Sequence, residues 1–234
     1  MGSGDFRPGN KLLRALDDTA YRRLARKMRA VPLSARLILY RANEPIQQVY
    51  FPETAIVCFM AVMKEGSTIE CAMVGVEGAS WVSSSTGVFI SPHEVIVAVA
   101  GSASVLDIDD FDREVQQNQQ FSSHLHRHAH ALLRHSLHMT ACTGLHSLEQ
   151  RCARWFLTAL DRVSEDRLAI THEFLATLLG AARPSVSAVI EDFQKRGILK
   201  LERGRVLITH RESLLVASCE CYDAIRRSYD HVHH

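Results

Sequence analysis

Hydrophobic residues recur at two different spacings along this chain, and the change of spacing divides it into segments. Between residues 10 and 30 they recur every three or four positions, which predicts an amphipathic helix with Asn10 as its N-terminal cap. From residue 33 to residue 108, short β-prone runs alternate with turns rich in glycine, proline and asparagine. This second pattern predicts an all-β sandwich or barrel.

The predicted strands are short and evenly spaced. They cover Leu37–Tyr40, Val49–Phe51, Ala55–Met63, Ile69–Val74, Glu94–Ala100 and Val105–Ile108. The last two runs are expected to close the β-structure.

After Asp109 the strand pattern ends, and residues 111–143 contain neither proline nor glycine, which predicts one long helix. Apolar and small residues on it recur with the 4 and 3 spacing of a heptad, and two seams satisfy that spacing. The first takes Phe121, Leu125, His128, Leu132, His135, Met139 and Cys142; the second takes Ser122, Leu125, Ala129, Leu132, Ser136, Met139 and Thr143. Either seam predicts that the helix pairs with its copy in a homodimer.

Gly144 is expected to break this helix, and Ser147 with Gln150 has the form of a capping box for the next one. A hinge is therefore predicted near residue 144. The predicted organisation is a β-domain with an N-terminal helix (residues 1–110), a dimerisation helix (111–143) and a C-terminal domain (144–234).

The pattern of residues 171–196 predicts a helix, a tight turn and a second helix. Thr171 can cap the first helix, Gly180 permits a left-handed turn, and Pro184 stands at the start of the second helix, where no amide donor is needed. In a helix-turn-helix, the exposed side chains at the start of the second helix reach base edges in the major groove of DNA. We therefore predict that Arg183, Ser185 and Ser187 contact bases.

Two further β-prone runs, Ile198–Glu202 and Arg205–Thr209, flank Arg203 and Gly204 and predict the hairpin of a winged helix. From Arg183 to Arg211 there are seven basic and three acidic residues, a local charge of +4. This basic segment is concealed by the net charge of the whole chain, which is only +1 from 27 basic and 26 acidic residues. The predicted phosphate contacts are Thr171, Lys200, Arg203 and Arg205.

Composition excludes several other classes of protein. A hydrophobic content of 47% is that of a chain with a core, and the longest charge-free runs are too short to span a bilayer. Residues 1–6 lack the apolar core of a secretory signal, so we expect a cytoplasmic chain without a membrane partner. Six cysteines without CxxC spacing argue against a disulfide scaffold or a zinc ribbon, and the common catalytic motifs are missing from the sequence.

The chain resembles the catabolite-activator/Fnr (Crp/Fnr) family of bacterial transcription regulators over nearly its whole length. The segments that carry the resemblance are Leu175–Gly180, Arg183–Ser187, Gly197–Leu199 and Gly204–Ile208, with Val49–Pro52, Leu145–Arg151 and Cys219–Tyr222 indicating a sub-branch. The resemblance implies an α+β fold: an N-terminal β-roll (jelly-roll) sensor domain like those that bind cyclic nucleotides, a long dimerisation helix and a C-terminal winged helix-turn-helix.

Within this resemblance, Arg183 matches the family's recognition arginine, whereas Pro184 and Ala188 replace other base-reading residues. The family's ribose-binding loop corresponds to Gly75–Gly78, which contains Glu77. The Arg and Ser/Thr that bind the cyclic phosphate correspond to His93 and Glu94, and a carboxylate there would repel a phosphate. Glu77, His93 and Glu94 are therefore candidates for an effector pocket that does not bind cyclic AMP tightly.

Thirteen histidines are an unusual number for a chain of this length, and six of them lie on the predicted dimer helix: His124, His126, His128, His130, His135 and His138. Pairs four residues apart could bind a metal or haem or respond to pH, but alternating histidines cannot all face one site. A polar helix surface explains them more simply, and packing likewise explains Cys219 and Cys221. We assign no metal ligands, and the cofactor stays unknown.

The sequence therefore predicts a homodimeric, sequence-specific DNA-binding regulator rather than an enzyme, with a β-roll that senses an unidentified signal. Its expected partners are double-stranded DNA with a near-palindromic operator, a second copy of the chain and RNA polymerase. Two alternatives stay open: a signal-binding module for a metal, haem or nucleotide that does not bind DNA, and a jelly-roll metalloenzyme. The second has few candidate ligands, since His93 is almost alone in the β-region.

Overall fold

The computed structural model describes residues 8–81, 89–163, 165–230 and 232; residues 1–6, on which the expected lack of a secretory signal depends, lie outside the described residues. The helices and strands are α1 (Lys11–Arg14), α2 (Asp18–Ala25), β1 (Arg29–Leu33), β2 (Ile38–Tyr40), β3 (Gln48–Pro52), β4 (Ile56–Val62), β5 (Thr68–Val74), β6 (Glu94–Val99), β7 (Gly101–Asp107), α3 (Ile108–Gln117), α4 (Gln119–Leu145), α5 (Leu148–Leu160), β8 (Arg167–Leu168), α6 (His172–Leu179), α7 (Arg183–Lys195), β9 (Leu199–Glu202), β10 (Arg205–Ile208), α8 (Arg211–Ala217) and α9 (Cys221–Ser228).

The N-terminal segment differs from the predicted single helix over residues 10–30. Asn10 caps α1 as expected, but the helix stops after one turn and Asp17 caps a separate helix, α2. Residues 29–33 form strand β1, in which Pro32 pairs with Ser102. Proline is tolerated here because β1 is an edge strand, with a neighbour on one side only.

Among the described residues, seven strands form the predicted β-domain as two antiparallel sheets, ordered β1-β7-β3 and β2-β6-β4-β5. Inward-facing residues of both sheets share one apolar cluster, which includes Leu33, Val57, Val97 and Ala103. The sheets therefore pack face to face in a jelly-roll-like domain, as predicted.

The structure has two helices, α3 and α4, where the sequence predicts one over residues 111–143, because the helical backbone is interrupted at Asn118. Its backbone leaves the helical region, and its side chain accepts a hydrogen bond from the Phe121 amide at 3.0 Å, which caps α4. Gly144 does not break α4, which continues to Leu145 and ends at His146. The capping box of Ser147 and Gln150 is present at the start of α5.

The C-terminal region is a winged helix. Strands β9 and β10 form the predicted hairpin, to which β8 adds a third strand that was not predicted. Within the described residues, no single helix is long and apolar enough to cross a membrane; only α6 and α7, bent by 112°, reach that length and composition together.

One continuous apolar core joins the winged helix to the β-roll. Trp155, Phe156 and Leu178 share a cluster with Ile56 and Met73 of the four-stranded sheet. The two domains are therefore in direct contact.

Candidate DNA-binding surface and its contacts with the β-roll

The helix-turn-helix has the geometry expected from its sequence. The Thr171 hydroxyl accepts a hydrogen bond from the Phe174 amide at 3.2 Å and caps α6, and Gly180 takes the left-handed conformation at φ 58° that ends it. A Cβ atom on Gly180 would lie 2.6 Å from Ile69 Cδ1 of β5. The positive backbone angle favours glycine, and any larger residue would also have to displace the end of the Ile69 side chain.

Helix α7 buries Val186, Ile190 and Phe193 and exposes Arg183 and Ser185 at its N-terminal end. Ser187 is half-buried, and its Oγ lies 3.0 Å from His172 Nδ1 on α6. Arg183 and Ser185 are thus presented to solvent, whereas Ser187 is held against the first helix of the motif.

The wing carries its positive charges on an exposed hairpin. Lys200, Arg203 and Arg205 are all exposed, and Arg205 pairs with Glu202 in the β9–β10 register. The Glu202 carboxylate, the one carboxylate of the hairpin, lies 3.6 Å from Arg167 of β8. Lys200 and Arg203 project from the same hairpin beside α7.

The β-roll also touches this motif at Thr171. Arg36 donates a hydrogen bond to the Thr171 hydroxyl at 2.9 Å, lies 3.6 Å from the Glu173 carboxylate and covers the Phe174 ring at 5.1 Å. The hydroxyl predicted to contact phosphate is therefore already engaged by an arginine of the β-roll.

Glu77, the first effector-pocket candidate, forms a buried ion pair with Arg162 at the end of α5. The two side chains are 2.7 Å apart and less than one-tenth exposed, and the carboxylate also accepts from the Gly75 amide. Arg162 covers the Tyr229 ring and donates to the Thr158 carbonyl oxygen. Sequence reasoning missed Arg162, because nothing in its neighbours marks it as the partner of a loop 85 residues earlier.

The structure does not bring the other two effector-pocket candidates to Glu77. Glu94 pairs with Met60 at the start of β6, whereas the Glu77 loop follows the far end of β5, where Val74 pairs with Val57. His93 packs edge-on to Phe59, and burial lowers its pKa. The cleft beside Glu77 is lined instead by Lys11, Asp161, Arg162, Arg226, Tyr229 and Asp230.

The first predicted dimer seam is wrong, since its residues Phe121, Leu125, His128, Leu132, His135 and Met139 are all buried within a single chain. Helix α9, with the residues that follow it, and the 75–81 loop cover that face of α4. His135 Nδ1 lies 3.1 Å from the Tyr229 hydroxyl, and His128 Nε2 lies 3.0 Å from the Ala79 carbonyl oxygen. The second seam shares Leu125, Leu132 and Met139 and fails at those positions for the same reason.

Two of these histidines are uncharged core residues. Burial lowers the pKa of His128 to about 4 and that of His135 well below its ordinary value. The idea that they meet their symmetry mates across a dimer is therefore wrong as well. The large apolar residues that α4 does expose are Leu133, Leu137 and Leu145.

A buried carboxylate that the sequence did not point to, Glu70 of β5, also joins the two domains. Its Oε2 accepts hydrogen bonds from Trp155 Nε1 at 2.8 Å and from the Cys58 thiol at 3.1 Å. Burial raises its pKa, which nearby arginines only partly offset. A glutamate within a β-prone run carries no sign in the sequence that its side chain is buried.

Comparison with known proteins agrees with this architecture. Residues 150–216 match the family model described as the Crp-like helix-turn-helix domain. The chain therefore contains a Crp-like helix-turn-helix domain. No curated protein matches it.

Solved structures share the fold at low sequence identity. FixK2 from Bradyrhizobium japonicum is 16% identical, with a TM-score of 0.69 over 82% of this chain and 98% of its own. TTHB099, a CRP-family transcriptional regulator from Thermus thermophilus, is 18% identical, with a TM-score of 0.65 over 80% and 96%. TTHA1359, a CRP/FNR-family regulator from the same organism, is 15% identical, with a TM-score of 0.57 over 81% and 98%.

Proposed function

We propose that this Crp/Fnr-like chain acts as a homodimer on a near-palindromic operator. Arg183 is the proposed guanine contact, Ser185 and Ser187 assist it, and Lys200, Arg203 and Arg205 bind phosphates. Two recognition helices of a dimer would enter successive major grooves about one helical turn, roughly 34 Å, apart. Because its target is DNA, we expect the chain to work in the bacterial cytoplasm, with RNA polymerase as a further partner.

The observation that carries this proposal is the exposure of Arg183 and Ser185 at the N-terminal end of α7, beside a basic wing. An arginine can make two hydrogen bonds to the O6 and N7 atoms of guanine, which is worth about 1–3 kcal/mol of discrimination. Phosphate contacts from the wing supply affinity that falls as the salt concentration rises, without carrying sequence information.

The proposed dimer contact is the exposed face of α4 rather than the predicted seam. Leu133 and Leu137 lie one turn apart, and both are more than half exposed in the single chain. Large apolar side chains in one exposed row are typical of a surface that another chain covers.

The β-roll is the proposed sensor, and its contacts with the winged helix supply the coupling. Arg36 of the β-roll donates a hydrogen bond to the Thr171 hydroxyl, so a movement of the β-roll would act directly on this proposed phosphate contact. We expect cyclic AMP to bind weakly at best, since Glu77 is already neutralised by Arg162 and is distant from Glu94 along the strands. Calorimetry with cyclic AMP tests this, and saturable micromolar binding would contradict it.

A gel-shift titration at two salt concentrations tests the DNA contact. We expect wild-type affinity for a selected operator to fall steeply with salt, and Arg183→Ala to lose about 10–100-fold in the preference for operator over random DNA. Arg26→Ala is the matched control, because it removes an exposed positive charge from the β-roll side of the chain. Equal operator preference in Arg183→Ala and wild type would exclude this role for Arg183.

A further inference from the structure

Three cysteines and one histidine from two distant parts of the chain meet where α4 ends. Cys142 lies on the last turn of α4, and His146 follows that helix directly; Cys219 and Cys221 lie between α8 and the first turn of α9. Their sulfur and imidazole nitrogen atoms all lie within 4.8 Å of one another. The three cysteines are buried free thiols, and the histidine is partly buried.

The spacing of these atoms is that of ligands around one tetrahedral metal ion. With zinc–sulfur and zinc–nitrogen bonds of about 2.3 and 2.05 Å, a tetrahedron has edges of about 3.8 Å between sulfurs and about 3.6 Å between sulfur and nitrogen. The Cys142 and Cys219 sulfurs are 3.6 Å apart, and Cys221 Sγ is 3.7 Å from His146 Nδ1. A disulfide would need about 2.05 Å between sulfurs, so the first pair is not bonded.

The second nitrogen of His146 provides an independent sign of a metal site. While Nδ1 faces the thiols, Nε2 lies 3.3 Å from the Glu220 carboxylate. Histidines that bind metals commonly donate their other N–H to a carboxylate, which fixes the ring and makes the ligand nitrogen more basic. Glu220 lies between Cys219 and Cys221, so one short segment supplies two thiols and the carboxylate that orients the imidazole.

We propose that Cys142, His146, Cys219 and Cys221 bind one zinc ion in a tetrahedral Cys3His site. Thiolates with an imidazole favour zinc among the common divalent metals, and four protein ligands leave no position for a substrate, as in structural zinc sites. On binding, the three thiols lose their protons to solvent, and the site carries a net charge of −1.

The surroundings suit that charge. Arg154, a buried residue of α5, lies near Cys142. Its positive charge would offset the negative charge of a zinc ion with three thiolates. The ion would tie the end of the long helix α4 to α9 and so fix how the C-terminal helices sit on it.

The first test is the metal content of the full-length protein, purified with a reducing agent and without chelators. We expect one zinc per chain, and after replacement by cobalt(II) we expect intense sulfur-to-cobalt charge-transfer bands with the visible bands of tetrahedral geometry. Cys219→Ser should lose the metal, whereas Cys71→Ser, at a half-buried thiol outside the cluster, should keep it. Glu220→Gln should weaken zinc binding about 10–100-fold in a chelator competition, with Glu212→Gln as the control.

A measurement on the wild type alone keeps the proposal testable where a variant fails to fold. Zinc should protect Cys142, Cys219 and Cys221 from alkylation, as mapped by peptide mass spectrometry, and should leave Cys71 as reactive as before. The proposal is overturned if the reduced protein binds neither zinc nor cobalt. It is also overturned if the protein as purified shows the absorbance of an iron–sulfur cluster instead of containing zinc. Equal alkylation of the three thiols with and without zinc would overturn it as well.

Discussion

The buried ion pair between Glu77 and Arg162 gives the sharpest test of how the β-roll is joined to the winged helix. The charged atoms are 2.7 Å apart, and both side chains are less than one-tenth exposed. Replacing Glu77 by glutamine keeps the size and one acceptor oxygen for the Gly75 amide but leaves the Arg162 charge buried without its partner.

The expected cost follows from that geometry. Removing one partner of a buried pair typically costs about 3–5 kcal/mol, because the remaining charge stays desolvated. Arg162 keeps its contacts with the Thr158 carbonyl oxygen and the Tyr229 ring, which favours the lower end of the range. We therefore expect Glu77→Gln to lower the free energy of unfolding by about 3 kcal/mol.

Urea denaturation of four proteins measures this cost: wild type, Glu77→Gln, Arg162→Met and the double variant. The double variant should be more stable than the sum of the single losses implies, by about 2 kcal/mol, because it leaves no unpaired charge. Glu44→Gln, at an exposed carboxylate of the β-roll, is the control. A loss below about 1 kcal/mol for Glu77→Gln, or strictly additive losses, would refute the buried pair.

Three further predictions concern single residues. Since burial lowers the pKa of His128 to about 4, the unfolded chain takes up a proton near pH 6.5 that the folded chain does not, so stability falls as the pH drops from 6.5 towards 4. Urea denaturation should show that His128→Gln removes about 1.3 kcal/mol of the stability difference between pH 7.5 and 5.5, and that His126→Gln, at an exposed site, leaves it unchanged. Leu137→Lys should raise the dimer dissociation constant at least tenfold in analytical ultracentrifugation, with Leu215→Lys on α8 as the control; no change would place the interface elsewhere. Ser147→Ala should cost about 1 kcal/mol in thermal or urea unfolding by removing the capping box of α5, and no loss would mean that the cap contributes nothing.

Local sequence signals were sufficient wherever the structure depends on neighbouring residues. The helix-turn-helix was predicted from three residues: Thr171 as a helix cap, Gly180 in a left-handed turn, and Pro184 where no amide donor is needed. Each of these properties depends only on a few consecutive residues. Short β-prone runs between turn residues likewise predicted strands β2 to β6, but only the second half of β7, which begins at Gly101 rather than Val105. The break at Asn118 was not predicted, because no proline or glycine marks it and an asparagine that caps a helix looks the same in sequence as one on a helix surface.

Contacts between distant segments could not be predicted from the same signals. The heptad spacing on α4 does mark a buried helix face. Apolar periodicity, however, does not tell whether that face is covered by a second chain or by the same chain, and here α9 of the same chain covers it. Cys142 and Cys219 are 77 residues apart, and a metal-ligand search based on short spacing does not connect them. The Glu77–Arg162 pair is separated by a similar length of chain and depends on how α5 meets the β5 loop.

The central claim, that α7 reads DNA sequence through Arg183 in a dimer, is tested most directly by selecting bound DNA from a random pool. With the wild type, we predict enrichment of an inverted repeat whose half-site centres lie about 10 base pairs apart, with a guanine at one position of each half-site. With Arg183→Ala, the repeat should persist while the preference for that guanine disappears. Failure to enrich any repeat, or an identical motif from both proteins, would contradict the claim.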